Sequence, residues 1–175
     1  MTPLVLFYMG SHPDHRGRYL AEILSQNDDW LEYTHDYIQW LFPNKRLSGV
    51  LPNAPLLDKK TIELFCNDSL LQDHLQASLN RLLQFYGLQL TDGCLVKQGN
   101  WVDRKANWFL HDTHNNLRIT RILLCLSAGV FTEKAKQIYM GLLLLRKSES
   151  DCGLSETAFL FWKKAVAPEN NPTKY

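Results

Sequence analysis

Apolar positions recur along most of this chain at the 3.6-residue spacing of helices that bury one face. Gly17 to Ser25 places Leu20, Ile23 and Leu24 on one side of a first short helix. Asp29-Trp30-Leu31-Glu32 has the spacing of a capping box, and the helix it opens runs to about Phe42, where Pro43 stops it. A long loop follows from Pro43 to Leu57; its Leu47, Val50, Leu51 and Leu56 predict a segment wrapped along the core. Asp58 is placed to cap a helix through Phe65, and Ser69 with Gln72 makes a second capping box. The helix from Ser69 to Tyr86 lines up Leu71, Leu75, Leu79, Leu82, Phe85 and Tyr86, and Gly87 supplies its left-handed stop.

The period then changes. Leu88 to Val96 alternates around Asp92-Gly93, which is the signal of a two-stranded hairpin. Trp101 to Phe109 predicts a short helix, and Thr113 to Ala128, Glu133 to Lys147 and Glu156 to Val166 predict three more. The expected fold is therefore all-α: a compact multi-helix domain over residues 1–167 with one small hairpin at Asp92-Gly93, and a frayed polar tail over 168–175.

Composition changes this picture little. The chain has 175 residues, 45% hydrophobic and 21% charged, as an ordinary globular domain has. Net charge is +1 and the basic residues come as scattered pairs, so no nucleic-acid partner is expected. The four cysteines are far apart, which argues for reduced thiols rather than a zinc or disulfide framework. The apolar start, Met1 to Met9, lacks the positive charge that opens a signal peptide. No apolar run approaches the ~20 residues of a membrane span, so a cytoplasmic location is expected.

The candidate chemistry sits on two helices. On the one from Trp30 to Phe42, Glu32, His35, Asp36 and Gln39 share an arc of about 100°, with Trp30, Tyr33, Tyr37, Ile38, Trp40 and Leu41 on the core side. On the one from Thr113, His114, Arg118, Arg121 and Cys125 form a stripe flanked by Leu117, Leu124 and Ile122. Arginines on a helix that is apolar nearly all round need carboxylates, carbonyls or an anionic ligand. Glu32, Asp36 and Asp112 are the carboxylates available, so the stripe is an internal ion network, the floor of a ligand pocket or plain surface. His111 and His114 alone do not make a metal site, because no second cluster supplies further ligands. No nucleophile elbow and no phosphate-cradling glycine loop occurs, and no cofactor is implied. Cys125 is either core packing or a thiol made acidic by its arginine neighbours.

These same residues carry a resemblance. Leu31 to Pro43 (LEYTHDYIQWLFP), His114 to Leu123 (HNNLRITRIL) and Phe85-Tyr86-Gly87-Leu88 resemble motifs of the opioid growth factor receptor conserved region, and Phe7-Tyr8 with Gly17-Arg18-Tyr19-Leu20 is similar to its opening. The resemblance runs from about Phe7 to Val166. Vertebrate members are known as receptors for an enkephalin peptide, associated with the nucleus and restraining proliferation. Their repeats and nuclear-localisation clusters are not found in this sequence, and Asp36 stands where they have serine. The resemblance thus implies a stand-alone, microbial version of the domain, for which neither nuclear entry nor specific affinity for an enkephalin pentapeptide is expected.

The function these residues predict is a binding module for a peptide or anionic small molecule. Its expected ligand-binding residues are Glu32, His35, Asp36, Gln39, Trp40, His114, Asn115, Arg118 and Arg121. The alternative is an enzyme with a histidine base and an arginine clamp on an anionic substrate.

Overall fold

The computed structural model describes residues 1–46, 49 and 51–167; the expectations for Leu47, Val50 and the tail 168–175 lie outside them. Helix α1, Pro3–Tyr8, turns the apolar start of the chain into core: Thr2 caps it, Pro3 occupies the first turn, and Leu4, Val5, Phe7 and Tyr8 are buried. α2 is Leu20–Leu24, shorter than the periodicity implied.

The helix expected from Asp29 to Phe42 is two helices. α3, Asp28–Tyr33, is capped by Asn27, whose side chain accepts from the Trp30 N–H at 2.8 Å, so Asp29 lies within the first turn and is not the cap. Thr34 is extended (φ −96°, ψ 127°), and α4, Ile38–Leu41, starts afresh. The apolar side predicted for a continuous helix splits with it: Leu31, Tyr37, Ile38, Trp40 and Leu41 are buried, whereas Tyr33 is 80% exposed.

Of the loop leucines expected to wrap along the core, Leu51 packs against it partly buried, whereas Leu56 is 42% exposed. A bridge pairs Asn44 with Leu56, and Ala54 and Leu57 are buried. α5, Lys59–Asn67, has the expected Asp58 cap. α6, Ser69–Phe85, is capped by Asp68, which accepts from Leu70 and Leu71 N–H, and so replaces the Ser69 box. Gly87 closes it at φ +77°; a Cβ there would also stand 2.8 Å from the Trp101 Cα, so the position tolerates only glycine.

Strands β1, Leu88–Thr91, and β2, Cys94–Lys97, pair antiparallel in the register Leu88↔Lys97 to Thr91↔Cys94, with Asp92 and Gly93 both at positive φ as a type I′ turn demands. The hairpin lies on α9, Thr132–Ser148, where a Cβ at Gly141 would collide with Leu95. Trp101 to Phe109 is not one helix: α7 is Trp101–Arg104, followed by a 3-10 turn, Lys105–Asn107. It delivers Trp108 to the centre of the core, where its indole donates to the Tyr86 carbonyl at 3.1 Å.

α8, His114–Ser127, and α10, Glu156–Val166, match their expected ranges closely. α8 packs against both α9 and α10, and the Trp162 indole fastens α10 to it by donating to the Asn116 carbonyl at 3.2 Å. Packing on two sides explains why α8 is apolar nearly all round. Among the described residues no helix is long and apolar enough to cross a membrane.

Candidate functional site

The start of α8 is built by its own sequence. The Thr113 hydroxyl accepts from the Asn115 N–H at 3.2 Å, and Asn116 Oδ1 takes the Thr113 N–H at 2.6 Å. Asn115 is fully buried; its amide donates to both Glu32 carboxylate oxygens at 3.3 and 3.2 Å and to the Asn107 carbonyl at 3.2 Å. His114 Nε2 stands 3.3 Å from Glu32 Oε1.

Arg118 is 5% exposed and all its described partners are neutral. Nη1 donates to the Leu31 carbonyl at 2.8 Å and to Asn115 Oδ1 at 3.2 Å. Nη2 donates to the carbonyls of Thr34 at 2.8 Å and Glu32 at 3.3 Å, and to His35 Nδ1 at 3.2 Å. The last carbonyls of a helix lack intrahelical partners and carry the negative end of its dipole. Arg118 thus plugs the C-terminus of α3, with its guanidinium carbon 5.5 Å from the centre of the Tyr37 ring. Of the partners the sequence leaves open, Arg118 takes carbonyls and not Glu32, Asp36 or Asp112: the Glu32 carboxylate goes to Asn115 and His114, and Asp112 accepts from the Ser155 N–H at 3.1 Å.

Asp36 leaves the stripe altogether, because the break at Thr34 turns it to the other side. It pairs with Arg16 at 2.9 Å and Arg18 at 3.0 Å and receives His15 Nε2 at 3.3 Å. Arg18 also holds the buried Asp14 at 2.6 Å. Partial burial would raise the Asp36 pKa, but hydrogen bonds from Arg16 and Arg18 and the charge of Arg18 outweigh it and leave the carboxyl below the usual range. Trp40 belongs to this side: its indole donates to His15 Nδ1 at 3.0 Å and its ring packs on Phe7. Since an indole only donates, His15 carries its proton on Nε2, toward Asp36.

One turn beyond Arg118, Arg121 is in a different position. It is half-buried and makes one hydrogen bond among the described residues, from Nη1 to the Phe42 carbonyl at 3.2 Å; burial lowers its pKa, yet a guanidinium remains charged. It lines a groove of about 580 Å³ together with His35, Gln39, His114, Leu117 and Leu124. Gln39 is 4% exposed, and its Oε1 has no partner among the described residues. His35 and His114 meet edge to face, ring centres 4.8 Å apart. His35 Nδ1 accepts from Arg118, so in the neutral ring the proton is on Nε2. Desolvation, then the Arg118 charge, pulls the His114 pKa down against the opposing pull of Glu32, so this ring is neutral at pH 7. Cys125 is buried and its thiol is pushed up to about 12 by desolvation, which makes it packing and not a reactive thiolate. Among the described residues no three metal-ligating side chains cluster.

Of the nine expected site residues, His35, Gln39, His114, Arg118 and Arg121 line the groove. Glu32 and Asn115 support it from behind through His114 and Arg118, while Asp36 and Trp40 serve the Arg16/Arg18 cluster. Sequence reading missed Asn116, which locks the first turn of α8, and Phe161, which α10 brings to the groove wall. Leu117 and Leu124 carried a usable signal: leucines seven apart on the same stripe as His114 and Arg121 are 70% and 43% exposed. Phe161 carried none, because nothing local relates it to α8.

Residues 6–152 match the opioid growth factor receptor (OGFr) conserved region. The chain is 43% identical over 100 residues to the opioid growth factor receptor of Mus musculus, an alignment covering 55% of this chain and 16% of that protein. The Homo sapiens receptor is 39% identical over 115 residues, covering 61% and 16% respectively. Opioid growth factor receptor-like protein 1 of Xenopus tropicalis is 37% identical over 127 residues, covering 67% of this chain and 24% of its own length. The chain therefore corresponds to no more than about a quarter of these relatives. No solved structure matches it. With a family match that spans most of its length, this chain belongs to the opioid growth factor receptor conserved-region family.

Proposed function

We propose that this domain is a binding module whose groove along α8 takes the anionic group of a peptide or small molecule on Arg121. The observation that carries the reading is the contrast between Arg121's charge and its partners among the described residues, one carbonyl, in a groove with no carboxylate among its described lining residues. A guanidinium has five N–H donors in a planar fork suited to a carboxylate or phosphate. Partly desolvated and with one acceptor among the described residues, it is better stabilised by an anion than by that carbonyl. His35, beside it, adds an Nε2–H donor to such a group, and Leu117 and Leu124 add apolar contact. The relatives are named receptors, and recognition of a ligand by the region they share with this chain accords with that name.

The test is thermal unfolding with phosphate or citrate. Wild type gains stability as the anion saturates its site, whereas Arg121→Met does not. An equal gain in the variant, or none in wild type, removes the reading.

A second reading draws on the Glu32–His114 pair. A neutral imidazole that donates Nε2–H to a carboxylate leaves Nδ1 free as a base, the arrangement a general-base enzyme uses. Turnover of an anionic ester or phosphoester, lost in His114→Asn, would favour it; no turnover by wild type would exclude it for those substrates.

A further inference from the structure

We propose that the groove is the docking site of an acidic amphipathic peptide segment, about two helical turns long, on a partner protein. This rests on the reading of Arg121 as an anion site and specifies what carries the anion. The His35/Arg121 chamber does not end at α8. A second chamber of about 470 Å³ shares Asn44, Thr120, Leu124 and Phe161 with it and continues between α8 and α10 toward Lys164. Either chamber alone has the volume that takes a whole small ligand, so the two in series exceed what a single inorganic or small organic anion fills.

The lining has a consistent chemistry. Five of the residues are cationic, Lys45, Arg46, Arg118, Arg121 and Lys164, and among the described lining residues none is an aspartate or glutamate. The chain as a whole has 18 acidic residues against 19 basic ones, so the one-sided lining is local. Between the cations lie Leu117, Leu124 and Phe161, exposed by 70%, 43% and 51%. Leu117 and Leu124 are seven residues apart on α8, about 10 Å along the axis. That is the span over which an amphipathic helix sets apolar anchors at i, i+3 and i+7 into a groove. A partner helix with apolar anchors on one edge and carboxylates beside them matches both halves of this pattern: the anchors cover the leucines and Phe161, and the carboxylates meet Arg121 at one end and Lys164 at the other. Nucleic acid would use the cations but leave the leucines against phosphate.

The experiment is fluorescence anisotropy with a labelled synthetic peptide of about 14 residues, leucines at i, i+3 and i+7 and glutamates between them. Companion peptides replace the glutamates by lysine or the leucines by alanine. Micromolar binding of the first peptide is expected, with at least ~10-fold weaker binding of both companions. Phe161→Glu and Lys164→Glu, both at exposed positions, should each weaken it by a similar factor, while Leu144→Glu, exposed on α9 outside the groove, should not. Equal binding of the lysine peptide, indifference to Phe161→Glu, or tighter binding of a single-stranded oligonucleotide at the same site would overturn the proposal. Citrate stabilisation that depends on Arg121, with no peptide binding, would sink the peptide and leave the anion site standing. Loss of both would sink the two together.

Discussion

Arg118 and Arg121 stand one turn apart on the same helix and do opposite things. Arg118 is buried and has five described acceptors, four of them oxygens; its Nη donors go to the end of α3, to His35 and to Asn115 one turn back on α8. Arg121 is half-buried with one described acceptor, and it lines a groove. The difference lies in what the chain places opposite each. The break at Thr34 presents three carbonyls to Arg118, whereas among the described residues only the Phe42 carbonyl meets Arg121. An arginine is structural where neutral acceptors saturate it and available where they do not. Asp36 offers a third case, a carboxylate with two arginines and a histidine around it.

The sharpest way to break the comparison is to remove Arg118. Arg118→Met takes the described donor from the partly buried carbonyls of Glu32 and Thr34 and leaves the Leu31 carbonyl with the Tyr37 hydroxyl, at a cost of about 1–3 kcal/mol for each group left unpaired. Together with lost packing on Tyr37 the expected loss is about 3–5 kcal/mol by urea titration, a large part of the stability of any domain this size. A loss under about 1 kcal/mol would mean that the α3 terminus is held by something else.

Next comes Arg18→Met, which strips the buried Asp14 of its guanidinium and Asp36 of one of its two. A loss of about 2–3 kcal/mol is expected, since the remaining Asp14 bonds are backbone N–H groups. Asp36 gives this region a pH signature. Its pKa is depressed in the folded state, so its contribution is present above the unfolded value of about 3.9 and lost as pH falls through the lower folded value. Asp36→Asn should flatten that acid limb, and an unchanged limb would detach Asp36 from it.

Arg121→Met should change stability by less than about 1 kcal/mol, because one carbonyl bond is lost and an undersatisfied cation leaves with it. A loss as large as that of Arg118→Met would erase the distinction between the two arginines and make Arg121 a structural residue.

The smallest expected effect belongs to His114. Its folded pKa lies below the unfolded value of about 6.5, so between the two the unfolded chain binds more protons and stability falls as pH is lowered. In His114→Asn the pH dependence just below 6.5 should shrink. A steeper dependence would mean that Glu32 outweighs desolvation and that the imidazole is charged in the fold.

Most of the elements were legible because their signals are local. The Ser69–Phe85 leucine face, the Asp-Gly hairpin and the Glu156–Val166 helix are set by side chains within a few residues of one another, and they appear where the pattern placed them. The stripe His114, Arg118, Arg121 was legible for the same reason, as was the inference that its arginines require partners. Which partners they found was not legible. The choice among carboxylate, carbonyl and open groove depended on a helix break at Thr34 that helical periodicity across residues 29–42 argued against, and on Arg16 and Arg18 claiming Asp36 from a distant part of the chain. Phe161 reached the groove only because α10 packs on α8. Local propensity and spacing mark where most helices form and which face they bury, although packing supplies most of their stability; what a charged side chain touches is decided by desolvation and geometry between segments, and those exist only once the chain has folded.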